Sequence, residues 1–284
     1  MIKSIRQVLA EATKELLAAG IAEARMEAVS LLAHALQVDR TFVITNLEEG
    51  LTAEQLRTFG ELVKRRARRE PLQYIVGHQE FFELDFEVTP DVLIPRPETE
   101  IVVETALEML TDFSAPLIAD IGAGSGCIVI SLLHRLPDAR GVAVDISSRA
   151  LSVAQRNAVR HKVADRLMLV ESDLFSALEP QAQFSLIVSN PPYVSEPEIE
   201  TLQPEVRDHE PMSALISGFD GLSHIRVLLR EASSYVRPNG FLIFEIGFDQ
   251  RNAVEQLIDV VRWRLIEVRE DLQNIPRTIV LQKR

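Results

Sequence analysis

Beyond Pro116 the chain alternates between short apolar runs and longer stretches with helical spacing, and this alternation restricts the fold more than any other feature. Residues 117–120 read as a strand, followed by glycines and a helix over about 126–136. Residues 141–145 form a second strand, 148–160 a helix, and 167–171 and 184–188 further strands. A helix over 222–236, a strand over 241–246 and two closing strands at 263–268 and 278–281 follow. Parallel neighbours cannot be joined by a tight turn, so each helix carries the chain back across the sheet. Strands that are apolar throughout are buried on both faces. The expected core is therefore a seven-stranded, mostly parallel, doubly wound α/β sheet of Rossmann-like type.

The first 70 residues contain only helical signals. Ile5, Val8, Leu9, Leu16 and Leu17 recur near helical spacing, with Gly20 at a plausible stop. Val29, Leu31, Leu32, Ala35 and Leu36 suggest a second helix. Thr52 with Glu54 and Gln55 starts another, which Pro71 ends. From Gln73 the texture changes: 74–77 and 81–88 favour strands and predict a short β-hairpin or linker. The Pro95 and Pro97 segment is a rigid extended turn, with a helix over 98–110 behind it. The expected domains are 1–72, an all-helical bundle, 73–95, a β-hairpin linker, and 96–284, the α/β domain.

Of the 284 residues, 46% are apolar and 25% charged, which is enough for a sizeable core and excludes whole-chain disorder. Cys127 is the one cysteine, so an intrachain disulfide is impossible. No apolar run approaches membrane-spanning length, and the charged N-terminal stretch lacks a signal-peptide centre, so a cytoplasmic protein is expected. The net charge of −12 disfavours a protein that lives on nucleic-acid phosphates. The six histidines have no metal-ligand spacing with cysteine, and no metal is expected. Lys64, Arg65, Arg66, Arg68 and Arg69 form a basic cluster, read as the solvated face of a helix rather than as a partner surface.

Between the first α/β strand and its helix stands Asp120-Ile121-Gly122-Ala123-Gly124-Ser125-Gly126. A dinucleotide loop has the spacing G-x-G-x-x-G, but here Cys127 occupies the position of the third glycine. A pyrophosphate cradle is disfavoured. A ligand made of a nucleoside and an amino acid, without phosphates, fits better, and S-adenosylmethionine is such a ligand. Asp145, at the end of the next strand, can accept from both ribose hydroxyls. Asp173, at the end of the third, can accept from the adenine amino group.

The fourth strand runs into Asn190-Pro191-Pro192-Tyr193. Ligands of open α/β sheets bind beyond the carboxyl ends of the strands, where this motif lies. The Asn190 side-chain oxygen and the Pro191 carbonyl are two acceptors matching the two hydrogens of a planar NH2 group. Tyr193 offers it a flat face. An amide or aromatic amine is a poor nucleophile because its lone pair is delocalised. Two fixed acceptors favour the charge that develops on nitrogen during attack, which is preorganised electrostatics. Placement against a sulfonium methyl adds proximity.

The Asn-Pro-Pro-Tyr motif with this glycine loop resembles class I S-adenosylmethionine-dependent methyltransferases acting on exocyclic or amide nitrogen. Over nearly the whole chain the sequence resembles the release-factor glutamine methyltransferases (HemK/PrmC). The likeness runs through 71–77, the Ile94-Pro95-Arg96-Pro97-Glu98-Thr99-Glu100 stretch, 218–222, 244–247, Asp271-Leu272 and Pro276-Arg277. The resemblance implies methyl transfer to the glutamine of the Gly-Gly-Gln motif of class I peptide chain release factors. It places the cofactor at Gly122, Ala123, Gly124, Ser125, Gly126 and Asp145, and the glutamine amide at Asn190, Pro191, Pro192 and Tyr193. Where some members carry a tryptophan against adenine, this chain has Leu174, so the ring stacking is lost. The helical domain is implied to grip the release factor, and the expected state is a monomer without direct nucleic-acid contact. The alternatives are a DNA or RNA adenine N6-methyltransferase, a ribosomal-protein glutamine methyltransferase, and a non-catalytic module of the same fold. Arg96 and Glu98 either shape the pocket or cap the following helix. Cys127 opens a helix, a position that can lower a thiol pKa, though packing is the expected role.

Overall fold

The computed structural model describes residues 3–284, so the first two residues of the expected 1–72 domain lie outside the described residues. The chain forms two compact units. One holds the chain up to Gly77 together with 203–209, and the other holds 78–202 and 210–284.

In the first unit, β1 (Lys3–Ser4) leads into α1 (Ile5–Ala18), and α2 (Ala24–Leu36) and α3 (Arg40–Thr45) follow. Next, β2 (Gly50–Leu51) pairs antiparallel with β1 and precedes α4 (Ala53–Ala67) and α5 (Leu72–Val76). Ser4 with Gln7, and Thr52 with Gln55, form capping boxes that satisfy the free amides opening α1 and α4. Ile5, Leu16, Leu31, Leu32 and Val43 are fully buried in the unit's core. The strand expected at 74–77 is instead the helical turn α5. Pro71 fixes its entry, Gly77 closes it in the left-handed region (φ 84), and Tyr74 and Ile75 are buried. Packing and flanking punctuation override a local β preference here.

The basic cluster is only partly a solvated face. Arg66 is buried and pairs with Glu27 and, at 2.9 Å, with Glu205. Arg69 donates to Glu205 at 2.6 Å and to the Gly20 carbonyl at 2.8 Å, while Arg65 pairs with Glu70. Lys64 and Arg68 are exposed.

The second unit opens with the hairpin β3 (His78–Phe81) and β4 (Leu84–Glu87). The single strand expected at 81–88 is divided there. Phe82 (φ 49) and Glu83 (φ 63) are both left-handed, as a two-residue hairpin turn that matches strand twist requires. After a short 3-10 turn at Pro97–Thr99 come α6 (Glu100–Met109), β5 (Leu117–Ile121), α7 (Cys127–Arg135), β6 (Arg140–Asp145) and α8 (Ser148–Arg160). Then follow β7 (Leu167–Glu171), β8 (Phe184–Ser189), α9 (Pro204–His209), which belongs to the first unit, and α10 (Ser223–Glu231). Last come β9 (Val236–Glu245), α11 (Arg251–Leu257), β10 (Trp263–Glu270) and β11 (Pro276–Lys283). The helix expected over 222–236 stops at Glu231. A 3-10 turn at Ala232–Ser234 follows, and Val236 already pairs with Phe184 of β8.

The sheet order is β10-β11-β9-β8-β5-β6-β7, with β11 antiparallel to its two neighbours and β5 to β9 mutually parallel. Both faces of the central strands are buried, in alternation along each strand. Leu186, Val188, Phe241 and Ile243 join one core with Val102, Val129 and Leu133. Ile187, Leu242 and Phe244 join the other with Ile225, Leu228 and Trp263. The chain runs from β5 out to β6 and β7, then returns to β8 on the other side. The crevice outside the carboxyl ends of β5 and β8 is thus the switch point of the sheet, where such folds bind ligands.

Candidate active site

The loop after β5 is fixed from beneath. The amides of Gly122 and Ala123 both donate to the Val144 carbonyl, at 2.8 and 2.9 Å. Gly122, Gly124 and Gly126 all take positive φ, a conformation open to glycine at little cost. Asp145 then ties this loop to the end of β6. Its Oδ2 accepts from the Gly124 amide at 2.8 Å and its Oδ1 from the Ser147 amide at 2.9 Å. Burial raises the Asp145 carboxyl above its ordinary range, and the amides of Ser147, Gly124 and Ile146 pull the other way. Each oxygen keeps further acceptor capacity for a ligand.

A cavity of about 290 Å³ opens over this loop. Gly122, Ala123, Gly124, Ser125, Asp145, Asp173 and Leu174 line it, and so do Asn190, Pro191 and Pro192. The structure thus brings residues after four different strands to one hollow. Two expected residues stand back from it. A Cβ on Gly126 would come within 2.8 Å of Ile130 and 3.2 Å of Ala154, so this glycine serves helix packing. The Tyr193 hydroxyl turns to the Glu245 carboxylate. Ser189 Oγ donates to the Ile121 carbonyl at 2.6 Å and ties the end of β8, just before Asn190, to the glycine loop.

Tyr193 sits in a tight backbone seat. Gln250 Nε2 donates to the Tyr193 carbonyl at 2.9 Å, and a Cβ on Gly221 (φ 73) would stand 2.4 Å from that same oxygen. The stretches around Gly221 and Gly247 are therefore supports for the motif.

The structure places a carboxylate behind Asn190. Glu245, the last residue of β9, is 1% exposed and accepts from Thr99 Oγ1 at 2.6 Å and from Tyr193 at 3.1 Å. Asn190 Nδ2 donates to the same Thr99 oxygen at 3.0 Å. Burial pushes the Glu245 carboxyl up to about 7, while bonds from Thr99 and Tyr193 and the charge of Arg277 hold it down. The Tyr193 hydroxyl lies above its usual range, first because of the Glu245 charge and then because of burial. The signal that could have found Glu245 is a lone acid after the buried apolar run Phe241 to Phe244.

Arg96 pairs with buried Glu210, which also accepts from the Ile94 amide at 3.3 Å. Arg96 thus braces the wall of the cavity near Pro95 and Pro211. His224 lines the cavity too, and burial lowers its pKa despite nearby Asp173. The Cys127 thiol is buried and pushed up to about 12 by burial and then by Asp120, so its place at a helix start does not activate it.

A seven-stranded sheet with one reversed strand, a glycine loop, an acid ending the second strand and Asn-Pro-Pro-Tyr after the fourth define a class I methyltransferase. The descriptions "PrmC N-terminal domain" and "Methyltransferase small domain" match residues 7–77 and 99–204. A release factor glutamine methyltransferase of Geobacter sulfurreducens is 47% identical over 89% of this chain and 87% of its own length. One of Nitratidesulfovibrio vulgaris is 41% identical over 99% of this chain and 95% of its own. A solved methyltransferase structure from Pyrococcus furiosus superposes with a TM-score of 0.52 at 16% identity, covering 78% of this chain and 98% of that one, which shows a shared fold. The chain belongs to the release factor glutamine methyltransferase family.

Proposed function

We propose that this protein transfers a methyl group from S-adenosylmethionine to the side-chain amide nitrogen (N5) of the glutamine in the Gly-Gly-Gln motif of class I peptide chain release factors. One observation carries the reading. Asn190 and Pro191 share a single cavity wall with the glycine loop and Asp145, inside a chain of this family. The cavity fits the cofactor: a Cβ on Gly122 or Gly124 would meet no protein atom within 4 Å, so open space adjoins the loop, and Asp145 is already oriented.

When bound, S-adenosylmethionine supplies an electrophilic methyl group on a sulfonium that departs as a neutral thioether. The protein's part is to hold and polarise. Asp145 accepts from the ribose, and Asp173 and Leu174 face the adenine. The Asn190 and Pro191 oxygens accept the two hydrogens of the glutamine amide and favour positive charge on its nitrogen as the new bond forms, and one of those hydrogens then leaves as a proton to solvent. Pro191 and Pro192 restrict the backbone that carries these acceptors. Tyr193 stands back from the cavity, and its hydroxyl donates to Glu245 behind the site. The helical unit grips the release factor, and the enzyme acts in the cytoplasm as a monomer without direct nucleic-acid contact. Its net charge of −12 supports a protein substrate over a phosphate backbone.

The test is methyl transfer from labelled S-adenosylmethionine to a purified class I release factor, with duplex DNA in a parallel reaction. Peptide mass spectrometry locates the label. Label on the Gly-Gly-Gln glutamine, and its loss in N190A with cofactor binding retained, is the expected result. Label on DNA alone would replace this reading with an adenine methyltransferase.

A further inference from the structure

We propose that Glu245 and Thr99 are positioning residues that fix which way the Asn190 amide faces, so that the site presents an acceptor and selects a substrate NH2 group. The inference rests on the function proposed above and concerns the same site.

An ionised carboxylate only accepts, so both contacts to Glu245 must be donated by its neighbours. Thr99 has one hydroxyl hydrogen and gives it to Glu245 at 2.6 Å. Its oxygen can then only accept from Asn190, and Asn190 Nδ2 stands 3.0 Å away. The amide is planar, and its nitrogen is committed to Thr99, so its oxygen faces away from Thr99 and is left for another partner. Were the Thr99 hydrogen turned to Asn190 instead, the amide would rotate. Its NH2 would then face the substrate NH2, donor against donor. A side-chain amide has no strong intrinsic preference between its two orientations, so the neighbouring hydrogen bonds decide.

Tyr193 completes the chain. Its hydroxyl donates to the other Glu245 oxygen at 3.1 Å, which holds the ring by its far end. One buried carboxylate thus orders two residues of the Asn-Pro-Pro-Tyr motif from behind, without lining the cavity itself. The groups that face Glu245 are Thr99, Tyr193 and Arg277, with Glu98 and Cys127 near enough to feel its charge.

Protonation of Glu245 removes one of its two acceptor oxygens, and a proton on the oxygen that faces Thr99 reverses the order there. With that carboxyl pushed up to about 7 by burial, methyl transfer should fall as pH drops through that value. Y193F keeps the ring but removes one bond that holds the carboxyl down, so the fall should move to higher pH.

The experiment measures kcat and KM for a class I release factor, with saturating S-adenosylmethionine, from pH 6 to 9. The proteins are the full wild-type chain, T99V, T99S and E245Q. T99V keeps the shape and loses the hydroxyl. It should lower kcat about tenfold to a hundredfold with KM for the release factor little changed. T99S should recover most of that loss. E245Q should lack the acid limb near pH 7 that wild type shows. A T99V enzyme with wild-type kcat overturns the proposal, and so does an unchanged acid limb in E245Q. If E245Q does not fold, the T99V and T99S pair decides alone. Absence of methylation by wild type itself would instead sink the function, a separate and recognisable failure.

Discussion

Gly122, Gly124 and Gly126 share a backbone conformation but not a task. All three lie in the left-handed region, where a side chain costs about 1–2 kcal/mol. Only Gly126 also lacks room, with Ile130 2.8 Å from a would-be Cβ. G126A should therefore lower stability by about 2–4 kcal/mol, strain and overpacking combined. G124A should lose less stability and more cofactor affinity, because its Cβ would stand in open space on the cavity wall. Urea denaturation and calorimetric titration with S-adenosylmethionine separate the two effects. Equal losses of stability in both variants would refute the division. The glycines, Asp145 and Asn190 were legible in the sequence because their chemistry lies in local spacing after strands. The Thr99–Glu245 contact was not, because 146 residues separate its partners and only the sheet brings them together.

Elements were legible where burial and period agree. The helix over 148–160 falls where it was expected, since its buried positions recur at helical spacing, and the strand expected over 184–188 is found as Phe184–Ser189, buried throughout. Tyr74 to Gly77 was misread because its β-preferring residues sit between a proline and a left-handed glycine that enclose a helical turn. The short helices α3, α9 and α11 carry too few residues for periodicity to show. One element also hides its main tie in plain view. Asn157 occupies the apolar stripe of α8, between Ala154 and Ala158, and is fully buried. Its side chain accepts from the Glu87 amide at 2.7 Å and donates to the carbonyls of Glu87 at 3.0 Å and Ser125 at 2.9 Å. It therefore joins the hairpin end to the glycine loop. N157A would strand three backbone groups and should cost about 2–4 kcal/mol. Thermal denaturation gives the loss, and faster hydrogen exchange at the Glu87 amide locates it. An Asn157 variant with wild-type stability would mean that water replaces these bonds at no cost.

At the scale of the whole molecule, the chain enters the helical unit twice. It leaves the α/β unit after Leu202, nine residues beyond Tyr193, and returns at Glu210. Near both ends of this excursion a glutamate is held by arginine. Within the helical unit, Glu205 of α9 takes Arg66 at 2.9 Å and Arg69 at 2.6 Å. Within the α/β unit, Glu210 takes Arg96. Burial alone would raise the Glu205 carboxyl, but its bonds to Arg66, Arg69 and a backbone amide prevail and hold it below its ordinary value. A depressed acid contributes stability that is present above its unfolded pKa and lost as pH falls through the folded one. Acid should therefore weaken α9 in its place. Arg66 carries the larger burden, because its 7% exposed side chain also pairs with Glu27. R66A leaves two largely buried carboxylates short of a partner and should cost about 3–5 kcal/mol. E205A should cost less, since Arg66 keeps Glu27. In the full chain, R66A with E205A should lose less than the two single losses added, by about 1–3 kcal/mol of coupling. Strictly additive losses would mean that the pairs to Glu205 do not hold the excursion in place.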